Sequence, residues 1–334
     1  MMKQKLLLIL AFLAGGTVAV RAQQDAQFSQ YMFNKLYLNP ATAGVDGEFG
    51  EFSLIHRSQW LGYTSTFNDG KAPTTQSFGF SMPMPRKATH EGNLWGIGLN
   101  AVNDQIGAFT SQEAHLSLSH HIRLKSGQLS LGLKGGVFRQ TIDFDLYRPV
   151  DPGDPLIQPL GRLSDVKADL AAGLYYSTTK YFVGLGVGRL LGSSFNFGQT
   201  ADPIQADGFT RLVPHANLLL GYHWEAGRNL VVSPSALLKF AADNNLSAEI
   251  SLIGTFSEKY YAGVAYRQGD AATLLLGIHL LPQQQLRLGY AFDLVVQGVD
   301  AKSATSQEIR LAYRVPPILV RGPSIIRTPR FRHF

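Results

Sequence analysis

The sequence predicts an all-β protein, a transmembrane antiparallel β-barrel of about fourteen strands with a short N-terminal helical or plug segment. Three observations predict it. Between Glu113 and Leu124 the chain alternates between an apolar and a polar face with one exception. Across 334 residues there are 34 glycines, 11% aromatic residues and only 16% charged residues, which suits closely packed strands with aromatic girdles. The alternation then recurs along the chain, separated by joints that tend to be short at one end and long at the other.

The first 22 residues come before any of this. Lys3 and Lys5 precede an apolar run from Leu6 to Val20, and Val20-Arg21-Ala22 has small residues where a signal peptidase needs them. Residues 1–22 are therefore expected to be a signal peptide cleaved after Ala22. With no cysteine in the chain, a lipid-anchored lipoprotein is excluded. No later stretch is apolar for long enough to be a spanning helix. The formal charge of +6 resolves into three basic residues in the leader, five arginines from Arg314 onward, and 22 basic against 24 acidic residues between Gln23 and Tyr313. Basic character belongs to the tail, so nucleic acid is not expected as a partner.

Residues 23–47 form an N-terminal segment. Phe28, Tyr31, Met32 and Leu36 recur at helical spacing, and Asn39-Pro40 stops a helix there. A short amphipathic helix against the barrel is the simplest expectation. The alternative is a plug carried by Phe28, Tyr31, Asn39 and Pro40.

The barrel is expected over residues 48–315. Its strands are placed at Glu48 to Trp60, Thr75 to Met82, Leu94 to Val102, a hairpin from Glu113 to Phe138, Lys167 to Tyr176, Tyr181 to Leu190 and Arg211 to Trp224. Asn229 to Phe240, Leu246 to Thr255, Tyr260 to Arg267, Ala272 to Leu280, Leu286 to Leu294 and Ser306 to Val315 complete the set. In the hairpin, Ala114, Leu116, Leu118, Ile122 and Leu124 share one face and Glu113, His115, Ser117, Ser119, His121 and Arg123 the other. His120 intrudes on the apolar set. An even strand count puts both termini on one side, expected to be the periplasm, and a closed barrel leaves no unpaired backbone edge in lipid. A soluble β-sandwich is the competing fold.

Candidate chemistry along the strands is sparse. Gly184, Gly186 and Gly188 sit inside a strand with no helix after them, so they are better read as room for an aromatic ring or a plug than as a phosphate loop. His115 and His121, two strand positions or more from any second ligand, need help from another strand to bind a metal. Lys134, Lys167, Asp169, Lys239, Glu249, Arg287, Asp293, Glu308 and Arg310 are expected to line the lumen, where they could pair with a plug. Asp143, Asp145, Asp151 and Asp154 lie in a long proline-containing joint whose spacing is not an EF-hand. No nucleophile elbow accompanies His115, His215 or His279, so no enzyme, cofactor or metal centre is predicted.

Residues 316–334 form a Pro/Arg-rich tail, expected in the periplasm. Its prolines forbid regular structure, and Arg321, Arg327, Arg330, Arg332 and Phe334 are its candidate partner-binding residues.

The run QDAQFSQYMFNKLYLNPATAG (24–44), followed by His56-Arg57-Ser58-Gln59-Trp60 and later by Gln76-Ser77-Phe78, resembles the opening of the PorP/SprF family of outer-membrane proteins associated with type IX secretion and gliding motility. Trp95-Gly96-Ile97-Gly98 and Glu308-Ile309-Arg310-Leu311-Ala312-Tyr313 continue the likeness, and Lys35 departs from it. The resemblance implies a non-enzymatic barrel embedded in outer-membrane lipid. It would work with type IX secretion components to anchor, retain or display secreted surface proteins, through a peptidoglycan-associated periplasmic protein in some members. Asn39-Pro40-Ala41 is also similar to the plug of the long-chain fatty-acid channel family, which leaves a passive channel or hydrophobic-compound transporter as the alternative.

Overall fold

Alternating sequences become strands whose two faces meet different surroundings, and each strand here pairs antiparallel with the next. The computed structural model describes residues 25–63, 72–84, 94–146, 161–195, 197, 211–242, 246–297 and 303–316. The strands are β1 (Gly50–Ser58), β2 (Thr74–Pro83), β3 (Leu94–Ile106), β4 (Phe109–Leu124), β5 (Gly127–Asp143), β6 (Arg162–Ser177) and β7 (Tyr181–Gly188). They continue as β8 (His215–Tyr222), β9 (Leu230–Ala241), β10 (Leu246–Phe256), β11 (Tyr260–Arg267), β12 (Ala271–Leu280), β13 (Leu286–Val295) and β14 (Thr305–Val315). A two-residue piece, Trp224–Glu225, carries β8 past His223 in the same register against β9. β1 pairs with β14, Gly50 opposite Val315 through Ser58 opposite Gln307, and this closes the sheet.

Burial is inverted relative to a water-soluble core. Leu116 and Leu133 are each 68% exposed on the outer face, while His115, Ser119 and His121 between them are at most 1% exposed on the inner one. That is the arrangement lipid requires outside and a polar filling requires inside. Exposed Trp95, Tyr181, Tyr222, Trp224, Phe256, Tyr260 and Tyr313 gather at the end that carries the short turns 125–126, 178–180 and 257–259. They form an aromatic girdle there. His120 lies on the outer face among the apolar set, where its ring is 4.4 Å from Trp95, its cross-strand neighbour. No helix among the described residues is long and apolar enough to cross a membrane; the crossing is made by strands.

The strands run longer than the apolar alternation at the opposite end. β3 extends to Ile106 and β4 begins at Phe109, so the expected joint is a two-residue turn at Gly107-Ala108, with Gly107 at φ +58°. Above the lipid both faces meet water, and the extension is held by polar cross-strand bonds instead. Asn103 Nδ2 donates to Gln76 Oε1 at 2.7 Å, Gln112 Nε2 to Asn103 Oδ1 at 3.0 Å and Ser111 Oγ to Gln140 Oε1 at 2.8 Å. β7 ends earlier than expected, because Arg189 adopts φ +56° and turns the chain inward. Arg211 makes only an isolated bridge to Ser194, and β8 starts at His215.

The N-terminal segment is inside the barrel. It contains a 3-10 turn at Tyr31–Phe33, one helical turn, α1 (Lys35–Leu38), and a second 3-10 turn at Pro40–Thr42, instead of one amphipathic helix. Its backbone groups find partners on the wall, so helical bonds are not needed. Asn39 caps the last turn by accepting from Ala41 N–H at 2.9 Å. Asp25 lies toward the end opposite the short turns, and the segment descends to Val45 before the chain enters β1 at the short-turn end.

Candidate functional site in the barrel lumen

Three sets of wall residues grip this segment. The first begins on β14 and β13. Both carboxylate oxygens of Glu308 accept from backbone, Oε2 from Ser29 N–H at 2.7 Å and Oε1 from Gln30 N–H at 2.9 Å. Ser29 Oγ–H donates to Asp293 Oδ2 at 2.8 Å, and Thr273 Oγ1–H donates to Asp293 Oδ1 at 2.8 Å. Arg57 of β1 closes the set with an ion pair to Asp293 at 2.7 Å. Arg267 pairs with Glu249 at 3.0 Å alongside. These charges are buried, and each has an opposite charge in contact, the condition under which ions persist out of water.

The second set surrounds Asp25. Arg189, placed by the turn at the end of β7, reaches Asp25 at 3.1 Å, Glu113 at 2.8 Å and Asp169 at 2.7 Å. His115 Nε2 contacts Asp169 at 2.9 Å, and His215 Nε2 contacts Asp25 at 2.6 Å. Burial pushes the Asp25 carboxyl up, but His215 and Arg189 beside it outweigh this and hold it well below the usual carboxylate range. Glu113, His115 and Asp169 bring ligand-type atoms within 4.8 Å of one another, the geometry of a possible metal centre. The Arg189 guanidinium bonds both carboxylates and fills the cation position itself. The arrangement is an ion-pair clamp.

The third set is steric. A methyl group on Gly132 would stand 2.2 Å from Ala41 N, on Gly173 2.0 Å from Asn39 Oδ1, on Gly186 2.2 Å from Leu38 O and on Gly96 2.0 Å from Ala43 O. Four glycines on four strands thus make a shelf on which residues 38–43 lie against the wall itself. Asn39 Nδ2 donates to Leu174 O at 2.9 Å, and His121 Nε2 lies 2.8 Å from Ala43 O.

The sequence-predicted residues fall as follows. Phe28, Tyr31, Asn39 and Pro40 are all buried in the lumen. Phe28 meets Tyr37 edge-on at 5.3 Å, and the Tyr31 hydroxyl sits 2.9 Å from Ser235 Oγ. Lys134 Nζ donates to Tyr37 O at 3.3 Å, and the Lys35 ammonium lies 4.1 Å from the Phe182 ring centre. Lys167 pairs with Asp165, outside the grip on the segment. Asp143 is engaged by Arg162 at 2.7 Å, while Asp151 and Asp154 lie outside the described residues. So do Arg321, Arg327, Arg330, Arg332 and Phe334, and the leader 1–22. Sequence reasoning missed Asp25, Ser29, Gln30 and Arg189. Only Arg189 carried a signal, a lone cation directly after a glycine-rich strand.

The type IX secretion system membrane protein PorP/SprF family matches residues 20–313 of the chain. No curated protein matches the sequence. Among solved structures, the chain is similar to the CymD monoaromatic hydrocarbon channel at 14% identity, covering 86% of this chain and 94% of that one with a TM-score of 0.46. It is also similar to the Acinetobacter baumannii outer membrane protein Omp33, at 8% identity, 80% and 99% coverage and a TM-score of 0.43. The translocator domain of autotransporter NalP from Neisseria meningitidis gives 12% identity, 86% and 96% coverage and a TM-score of 0.38.

Proposed function

Since the chain belongs to the PorP/SprF family of type IX secretion system membrane proteins, and is thus an outer-membrane barrel of that system, we propose that it anchors or displays secreted surface proteins without catalysing a reaction. The observation that carries this reading is the occupied lumen. A conduit for solute needs an open polar path, whereas here inward residues of many strands are committed to the chain's own N-terminal segment through hydrogen bonds to Ser29 and Gln30, ion pairs to Asp25 and glycine contacts. A barrel filled in this way is a rigid post in the membrane, with partners to be engaged at its two ends.

In this reading the short-turn end faces the periplasm, the N-terminal segment leaves the lumen on that side to enter β1, and the tail after Val315 leaves there. The tail's Arg321, Arg327, Arg330, Arg332 and Phe334 then dock on a peptidoglycan-associated periplasmic protein. The test is cross-linking in cells, mild-detergent purification of the tagged full chain and mass spectrometry, beside a chain truncated after Val315. Reproducible recovery of a secreted surface protein or a peptidoglycan-associated protein supports the anchor. Loss of the periplasmic protein alone on truncation assigns its docking to the tail. Recovery of neither from the intact chain overturns the reading and leaves the channel alternative.

A further inference from the structure

At the short-turn mouth, below the N-terminal segment, the lumen wall carries an excess of positive charge that the fold does not use up. Arg287 on β13 lies opposite Ala312 of β14, and Arg310 and Arg314 flank Ala312 two residues away on either side. On one face of an antiparallel pair, such diagonal neighbours are within reach of long side chains. The three guanidinium groups are therefore brought together by register.

Their counter-charges are fewer. Glu51 of β1 takes both Arg310, at 2.6 Å, and Arg287, at 3.7 Å. Among the described residues Arg314 pairs only with Asp46, at 3.9 Å, and that carboxylate is 63% exposed. Among the described residues three cations thus face two anions, and Glu48 is exposed to solvent. In each of the three arginines Nε is buried with no hydrogen-bond partner, and Arg310 as a whole is 3% exposed. Buried donors of a charged group are normally satisfied, and here three unsatisfied ones belong to side chains that the register brings to one face, where positive charge exceeds negative among the described residues. Aromatic faces stiffen the group: Arg310 stacks over Phe33 at 5.1 Å and Arg314 over Phe49 at 4.2 Å.

We propose that Arg287, Arg310 and Arg314 form a carboxylate-binding site at the mouth of the barrel, which takes an aspartate or glutamate side chain from an acidic segment of a periplasmic partner protein. This rests on the reading of the short-turn end as periplasmic. The arginines point into the lumen, away from the lipid-facing girdle, which favours a protein carboxylate over a lipid headgroup. The tail that leaves β14 directly after Arg314 and Val315 is also basic and free of acids. Its sequence adds only positive side-chain charge, which favours an acidic partner over a basic one.

The test uses the full-length protein in neutral detergent, in a background where Arg321, Arg327, Arg330 and Arg332 are replaced by glutamine so that the tail does not contribute. Binding of a fluorescein-labelled deca-glutamate peptide is followed by anisotropy. Arg287→Gln with Arg314→Gln is expected to weaken binding about tenfold. Asp46→Asn, a change at an exposed residue that leaves the fold intact, is expected to tighten it about threefold by removing a competing carboxylate. A deca-glutamine peptide is expected not to bind. The proposal is overturned if the double variant, still heat-modifiable on a gel like its parent, binds as tightly as the parent. It is equally overturned if Asp46→Asn changes nothing, or if inorganic phosphate or phosphatidylglycerol micelles at equal charge displace the peptide completely. Because no cellular partner is present, a failure here concerns the site, and an empty pull-down from cells concerns the anchor.

Discussion

Gly132→Ala asks whether the N-terminal segment is truly seated on the wall. The added methyl would stand 2.2 Å from Ala41 N, 2.4 Å from Pro40 C and 2.5 Å from Ala41 Cα. Ordinary contact begins near 3.4 Å, so the backbone at Pro40-Ala41 must retreat by the difference from 2.2 Å, about 1.2 Å. It cannot do so freely, because Asn39 Nδ2 is bonded to Leu174 O at 2.9 Å on one side and Ala43 O lies 2.8 Å from His121 Nε2 on the other. Overpacking of this kind costs about 1–3 kcal/mol, and one buried hydrogen bond lost in the retreat adds about 1–3 kcal/mol. A total near 3 kcal/mol raises the undocked population about a hundredfold. Amide hydrogen exchange followed by mass spectrometry on the purified barrel reads this directly, as faster exchange in peptides from 25–47 with strand peptides unchanged. Gly135→Ala is the control, since its methyl would face lipid 3.4 Å from Leu170 Cδ2. If Gly132→Ala exchanges as slowly as Gly135→Ala, residues 38–43 are not seated against the wall at Gly132.

Other perturbations test the remaining contacts. Glu308→Gln removes the charge that holds Ser29 and Gln30 N–H and should cost about 3 kcal/mol, seen as faster exchange over 25–34; unchanged exchange would refute the clamp. Arg189→Leu leaves Asp25, Glu113 and Asp169 without their shared cation and should destabilise the folded barrel by about 3–5 kcal/mol in urea unfolding from lipid vesicles. Retained stability would mean that the carboxylates are compensated by another group. Leu116→Arg, on a side chain 68% exposed to the membrane, should lower stability in vesicles by about 2–4 kcal/mol, and an unchanged midpoint would contradict the assignment of the outer face.

Much of the wall was legible because lipid imposes a strict rule on one face. Leu116, Leu118, Leu131 and Leu133 repeat at period two, and the pattern survives any choice of lumen residues. It failed where that rule lapses. Asn103 to Gln112 has no apolar alternation because both of its faces meet water, so a hairpin tip read as a joint. Inward glycines could be read as room for something, yet which backbone they admit depends on four strands converging on residues 38–43, a relation no local pattern encodes. The same holds for the clamp. Glu308 and Asp293 announce themselves as inward carboxylates, but Ser29 and Gln30 bind them through backbone N–H and a hydroxyl, groups that carry no distinctive sequence signal. Helical spacing at Phe28, Tyr31, Met32 and Leu36 was misleading for a related reason: wall carboxylates replaced the intrahelical bonds that would have continued the helix.

The barrel is filled by its own N-terminal segment, and the proposed anchor role depends on that filling. Single-channel conductance of the purified full chain in a planar bilayer tests it most directly, with a chain lacking residues 25–44 alongside. A filled lumen gives no conductance steps from the intact chain and discrete steps from the shortened one. Steady ion conduction by the intact chain would contradict it and favour a channel.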